Sequence, residues 1–248
     1  RSMPVDIAKS SLAEVKVSPE LLSPIERVNQ AQLPILRECG RIELLPEGYD
    51  AASRTFTFPA GFELLHMTLE QAHYHFRELN VEFPFGDGAD NPERSISVLM
   101  ACLLTLYGAG LLPRGASRPL FIFNANAPRS GKSLLAKECL ISIFGEASSS
   151  SWSENAEEFR KSLETAANTA SPYVFYDNVR HYMQSADLER FVTSPSVSCR
   201  VMGKNTELLT VPNVVTVLIT ANGARCSPDI AERSLFVNLF VDEAERLS

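Results

Sequence analysis

The stretch that most constrains this sequence is Leu120-Phe121-Ile122-Phe123-Asn124, a strand-like apolar run. It leads into Asn126-Ala127-Pro128-Arg129-Ser130-Gly131-Lys132-Ser133 and then the helix-compatible Leu134-Leu135-Ala136-Lys137. Strand, loop and helix in that order, with Gly-Lys-Ser where the helix begins, is the setting of a phosphate-cradling loop. Backbone N–H groups of such a loop and the helix N-terminus point at an anion. The lysine reaches the β and γ oxygens and the serine hydroxyl meets Mg²⁺. The candidate cofactors are therefore ATP and Mg²⁺, and the candidate binding set is Asn126, Ala127, Pro128, Arg129, Ser130, Gly131, Lys132, Ser133 and Leu134. The loop departs from its usual pattern at Asn126, where glycine is expected. Asparagine tolerates positive φ better than most residues.

Two later strands end in polar residues. Tyr173-Val174-Phe175-Tyr176 runs into Asp177-Asn178, which places a carboxylate at the edge where α/β sheets bind ligands. Asp177 is thus the candidate partner of Ser133 at the metal, with Asn178 beside it among the catalytic candidates. Read in isolation, the same residues describe a buried strand closing in an Asp-Asn turn. Val214 to Thr220 likewise runs into Ala221-Asn222, an amide able to orient a water or touch the γ-phosphate, or else a turn before Gly223. Arg233 follows in Asp229-Ile230-Ala231-Glu232-Arg233. It is a candidate to stabilise charge at a neighbouring subunit's nucleotide, or a surface arginine paired with Glu232.

Between these strands, Ser196 to Met202 and Thr206 to Val211 flank Gly203-Lys204-Asn205, which predicts a hairpin with a cationic tip. Lys204 and Arg200 are candidates to contact a nucleic-acid backbone, though a solvated hairpin explains them too. The formal net charge of −7 supplies no global attraction for a polyanion, so any such contact has to be local. Five scattered cysteines without metal-ligand spacing fit reduced thiols in the cytoplasm. His73, His75 and His181 are too isolated for a metal site. No secretory signal is visible at Arg1-Ser2-Met3, and Ile96 to Leu112 reads as a buried helix rather than a membrane span.

Apolar runs and helical patterns alternate from Pro119 to Val241, which predicts an α/β fold with a parallel sheet flanked by helices. The breaker cluster at Phe85 to Pro92 suggests residues 1–94 as an attached region and 95–248 as the phosphate-loop domain. The first region reads as mostly helical. Ser18 and Ser23 are candidate caps for helical pattern extending to about Arg37, and Thr68 caps a helix to about Leu79. A short hairpin of Arg41–Leu45 and Thr55–Phe58 around Pro46–Asp50 is the expected exception.

The order of phosphate loop, Asp177-Asn178-Val179, Arg200-Val201-Met202-Gly203, Thr220-Ala221-Asn222-Gly223 and Asp229-Ile230-Ala231-Glu232-Arg233 resembles AAA+ ATPases of the helicase branch. The likeness is greatest to superfamily 3 and minichromosome-maintenance-like helicases of phages and mobile elements, and it covers about Pro119 to Val241. It implies an ASCE-type P-loop NTPase fold, a hexameric ring, and ATP-driven translocation on DNA during replication, without a membrane. Carried over by position, Lys132 and Ser133 bind phosphate and Mg²⁺, Asp177 supports the metal, Asn222 is the first sensor, Arg233 the arginine finger, and Lys204 faces the pore. Three departures stand against efficient turnover: Asn126, the absence of a glutamate after Asp177, and Glu232 where relatives often carry a second arginine. They keep open an ATP-binding assembly switch with weak hydrolysis. Glu154 is a positional candidate for the missing carboxylate.

Overall fold

Three consecutive-residue apolar runs, each too continuous for a half-exposed strand, call for a sheet covered on both faces. In the computed structural model they are three of the four strands of the main sheet. The structure describes residues 25, 27–29, 31–59, 65–86, 92–113, 116–200 and 208–242, with the backbone alone at Arg200 and Leu208. Strands β1 (Arg27–Asn29), β2 (Pro34–Leu36), β3 (Ile42–Leu44), β4 (Gly48–Asp50) and β5 (Thr55–Thr57) come first, then helices α1 (Leu69–Leu79) and α2 (Pro92–Tyr107). The sheet unit follows with β6 (Leu120–Ala125), α3 (Lys132–Phe144), α4 (Ala156–Asn168), β7 (Tyr173–Val179) and α5 (Ala186–Thr193). It ends with β8 (Ser196–Arg200), β9 (Leu208–Pro212), β10 (Thr216–Asn222), α6 (Pro228–Glu232) and β11 (Ser234–Leu239).

The main sheet has the order β11-β6-β10-β7, with every pairing parallel. Alternation along its strands separates two cores. Phe121, Phe123, Phe175 and Leu218 face one side, against Leu99, Cys102 and Leu106 of α2 and Leu135, Cys139 and Leu140 of α3. Leu120, Ile122, Val174, Tyr176, Val217 and Ile219 face the other, against Phe159 and Leu163 of α4, Leu188 and Phe191 of α5, and Ile230 of α6. The flanking helices are well bounded. Asn155 accepts from the N–H groups of Glu157 and Glu158 to open α4, and Ser185 and Ser227 cap α5 and α6 in the same way.

Both sheet edges are partly covered. Beyond β11, Phe85 bridges Leu239 in antiparallel fashion, Gly86 N–H donates to Asn238 O at 3.0 Å, and Phe240 N–H donates to Pro84 O at 2.7 Å. Beyond β7, Ser150 bridges Tyr176 in parallel, its N–H donating to Phe175 O at 2.7 Å. Such cover shortens the open edge on which another chain could pair.

Ahead of Pro92 the structure corrects the sequence reading. The expected helical lead-in to Arg37 contains β1 and β2 instead, and the described residues before Pro92 hold five short strands and one helix rather than a mostly helical region. Ser18 and Ser23 lie outside the described residues. The expected hairpin is also rearranged, since β3 pairs antiparallel with β2, while β4, placed within the expected turn, pairs antiparallel with β5. β1 joins β5 in parallel, Val28 opposite Phe56. β1 and β5 lie far apart in sequence, and tertiary pairing of that kind overrides local pattern in such short elements. Arg37 fastens the pieces together, donating to Asp50 at 2.7 and 2.9 Å and to Glu43 at 2.5 Å. Thr68 does cap α1, in a capping box with Gln71.

Leu140 is fully buried in the cluster that fixes α3 to the sheet. Leu140→Ala is expected to lower the unfolding free energy by about 2 to 5 kcal/mol, read from urea denaturation followed by circular dichroism.

Candidate nucleotide site

The ends of β6, β7 and β10 come together because β10, the strand that ends in Asn222, lies between the other two. An open cleft of about 610 Å³ sits at these carboxyl ends, lined by Pro128, Lys132, Ser133, Asp177, Asn178, Val179, Arg180 and Asn222. Residues from distant parts of the chain thereby share one wall-and-floor arrangement, as the carboxyl-end rule for parallel sheets requires.

The loop after β6 turns on two left-handed residues, Arg129 (φ 63°) and Gly131 (φ 85°). Gly131 is required twice over, because a Cβ there would also stand 2.9 Å from Cε1 of Phe83. Asn126 is not among the positive-φ residues. Its side chain instead bonds the backbone beyond β11, where Nδ2 donates to Val241 O and Oδ1 accepts from Val241 N–H, both at 2.9 Å. The amide thus replaces a strand partner at the end of β11, which is why asparagine rather than glycine suits the position. Ala127 is buried, Ser130 is buried with its hydroxyl unpartnered, and Leu134 is 64% exposed on the outer side of α3, away from the cleft lining.

Asp177 is the hub. Ser133 Oγ and Thr220 Oγ1 each donate to its Oδ1 at 2.6 Å, and Lys137 Nζ stands 3.9 Å from Oδ2. Thr220 Oγ1 in turn accepts the Asn178 N–H at 2.6 Å. Burial opposes ionisation of Asp177, but the two hydroxyls and the ammonium groups of Lys137 and Lys132 outweigh it and hold the carboxyl below its ordinary value. Lys132, only 7% exposed, is pushed below the usual lysine value by burial, against the pull of Asp177.

The register between β7 and β10 shifts between Ile219 and Ala221, and opposite it Asn178 adopts φ 57°. A bulge of this kind re-aims side chains at a strand end, and here Asp177, Asn178, Val179 and Arg180 all reach the cleft.

A hydroxyl and a carboxylate 2.6 Å apart are hard oxygen donors that fit Mg²⁺, an ion commonly bound by one or two protein groups together with water and phosphate oxygens. Among the described residues no cluster of three His, Cys, Asp or Glu side chains could hold a metal on its own.

Of the expected site residues, Lys132, Ser133, Asp177, Asn178, Asn222 and Pro128 converge. Arg233 does not line the cleft. It follows α6, with Nη1 donating to Asp229 O at 2.7 Å, and the side chain near it is Asp229 rather than the expected Glu232. Glu154 pairs with His181 Nδ1 at 2.7 Å and is absent from the cleft lining, so it does not supply the missing carboxylate within this chain. The β8–β9 hairpin forms as expected, with Ser196 opposite Pro212 and Arg200 opposite Leu208. Lys204, expected at its tip, lies outside the described residues. Sequence reasoning missed Thr220, Lys137 and Arg180. A fully buried hydroxyl in an apolar strand was the signal for Thr220, yet Thr216 of the same strand is just as buried and its hydroxyl has no partner.

No family model matches the sequence, and neither does any curated protein. Among solved structures, JCV helicase aligns over 72% of this chain and 52% of its own, at 14% identity and a TM-score of 0.42. JCV helicase bound to an acetamide compound aligns over 72% and 53%, at 15% identity and a TM-score of 0.37. The apo C-terminal region of NrS-1 aligns over 97% and 54%, at 16% identity and a TM-score of 0.44. The chain spans about half the length of these structures. Likenesses this remote carry no functional argument.

Because its pKa is depressed in the folded state, ionised Asp177 contributes stability at neutral pH that is lost as pH falls through that lowered value. Between about pH 6 and about pH 3, the melting temperature of Asp177→Asn is expected to fall less than that of wild type. Parallel curves would show that Asp177 is not held ionised.

Proposed function

We propose that this chain is the motor of an ATP-dependent DNA helicase or replication-initiation ATPase, with residues 95–248 as the P-loop domain and 1–94 as an attached region. The observation that carries the reading is the Ser133–Asp177 contact, 2.6 Å across the cleft that Lys132 enters. The order of the strands supports an ASCE-type arrangement, with the Asn222 strand inserted between those of the loop and of Asp177. Lys132 and Arg180 line the cleft with Asp177 as its one carboxylate among the described residues, and Lys137 Nζ stands 3.9 Å from Asp177 Oδ2, so the cleft is locally cationic although the chain carries −7. Such focusing favours a polyphosphate.

In this reading Lys132 binds the β and γ oxygens, Ser133 and Asp177 hold Mg²⁺, and Asn222 orients the attacking water. The bound ion supplies neutralisation of charge developing on the phosphates. Arg233, outside its own cleft, acts on the nucleotide of the next subunit in a ring, and Arg200 and Lys204 of the hairpin meet DNA. Among the described residues no helix is long and apolar enough to cross a membrane.

ATP hydrolysis is expected to rise on adding single-stranded DNA at low salt, and Lys132→Ala is expected to lose at least about a hundredfold in rate. Turnover with no response to DNA across salt concentrations would remove the helicase assignment and leave the ATPase.

A second reading is favoured by one observation: Asp177 is the only carboxylate lining the described cleft, Asn178 occupies the next position, and Glu154 is committed to His181. An assembly switch that binds ATP and scarcely consumes it follows from that arrangement. The two readings part at Arg233→Ala. A motor loses hydrolysis by about 10³-fold or more while retaining nucleotide affinity, whereas a switch shows negligible hydrolysis with or without the substitution.

A further inference from the structure

Resting on the nucleotide-binding reading, we propose that Arg180 contacts the terminal phosphate of the nucleotide bound in its own subunit, held in place by the Asn178 amide, and so sets the preference for triphosphate over diphosphate. Arg180 follows the end of β7 and lines the cleft with Lys132, Ser133 and Asn222. With the Asn178 amide oriented so that its oxygen faces the guanidinium, that oxygen accepts from Nε at 3.3 Å and from Nη2 at 3.2 Å. Among the described residues no carboxylate pairs with Arg180. Among the described residues its remaining N–H donors therefore have no acidic partner.

The location selects the phosphate. Lys132 and Ser133 rise from the loop, where the phosphate chain is cradled. Asp177, Asn178 and Arg180 come from the strand end that faces them, with Asn222 alongside. A phosphate chain running from the loop toward Asp177 presents its last group to that wall. Guanidinium groups suit phosphate because their N–H donors match two oxygens at once. The bulge explains how the residue is aimed. With Asn178 at φ 57° and its backbone N–H fixed to the buried Thr220 hydroxyl, the Cα from which the side chain springs is held in place, and the amide meets the guanidinium through the edge that bears Nε. Asn178 is then a positioning residue for a cation, its carbonyl oxygen engaged by the guanidinium rather than by a water.

The test is isothermal titration of the full chain with Mg²⁺ and either ADP or the non-hydrolysable analogue adenylyl imidodiphosphate. Arg180→Ala is expected to weaken the analogue by about tenfold or more, with ADP affinity within about twofold of wild type. Arg180→Lys should fall between, since a point charge keeps attraction but loses the fork. Asn178→Ala should shift the ratio in the same direction by a smaller factor, an effect that a purely structural role for the pair would not produce. If Arg180→Ala leaves the analogue-to-ADP ratio unchanged while wild type binds both, the role of Arg180 is refuted and nucleotide binding stands. Wild type binding neither would overturn both. Arg180 is exposed, so Arg180→Ala should melt as wild type does without nucleotide. If it does not, Arg180→Lys against the same two ligands decides the matter.

Discussion

The Asp177 carboxylate is the point on which three separate pieces of chain agree. Ser133 brings the first turn of α3 to it, Thr220 brings the central strand β10, and the carboxylate itself ends the neighbouring strand. A carboxylate so placed is stable only if its desolvation is met by hydrogen bonds and nearby cations, and the two hydroxyls with Lys137 and Lys132 provide both. Their convergence fixes the separation of loop and strand end. The remainder of the sheet, with its two apolar cores, serves to present these ends at one edge.

The second half of the fold was legible in the sequence because its signals are local and repeated. Continuous apolar runs mark strands buried on both faces. Leu135, Ala136, Cys139, Leu140 and Ile143 recur at helical spacing behind the Gly-Lys-Ser turn. Lys132, Ser133, Asp177, Asn178 and Asn222, which the cleft brings together, each stand at a strand or helix end. The first region was not legible, since three-residue strands carry almost no periodicity and Val28 finds Phe56 across a long intervening stretch of chain. The pairing of β1 with β5 lies in no short window of sequence.

Within the site, what escaped the sequence was relational. Thr216 and Thr220 look alike on the same strand, and only the register with β7 gives one of them a carboxylate. The irregularity beside Thr220 is likewise invisible as composition, yet it turns Asn178 and Arg180 toward the cleft. Asn126 illustrates the opposite case. The departure from glycine was obvious, but its meaning lay in Val241, far downstream in the chain.

That pairing makes the loop after β6 a mechanical junction. Two parallel hydrogen bonds join the amide to the backbone just past β11, so tension on the chain beyond Val241 reaches the loop before it reaches the hydrophobic core. Pulled along the strand, the two bonds bear the load together in shear. Pulled across it, they would open one after the other like a zip. The direction from which a following segment tugs would therefore decide whether the loop stays braced or is released.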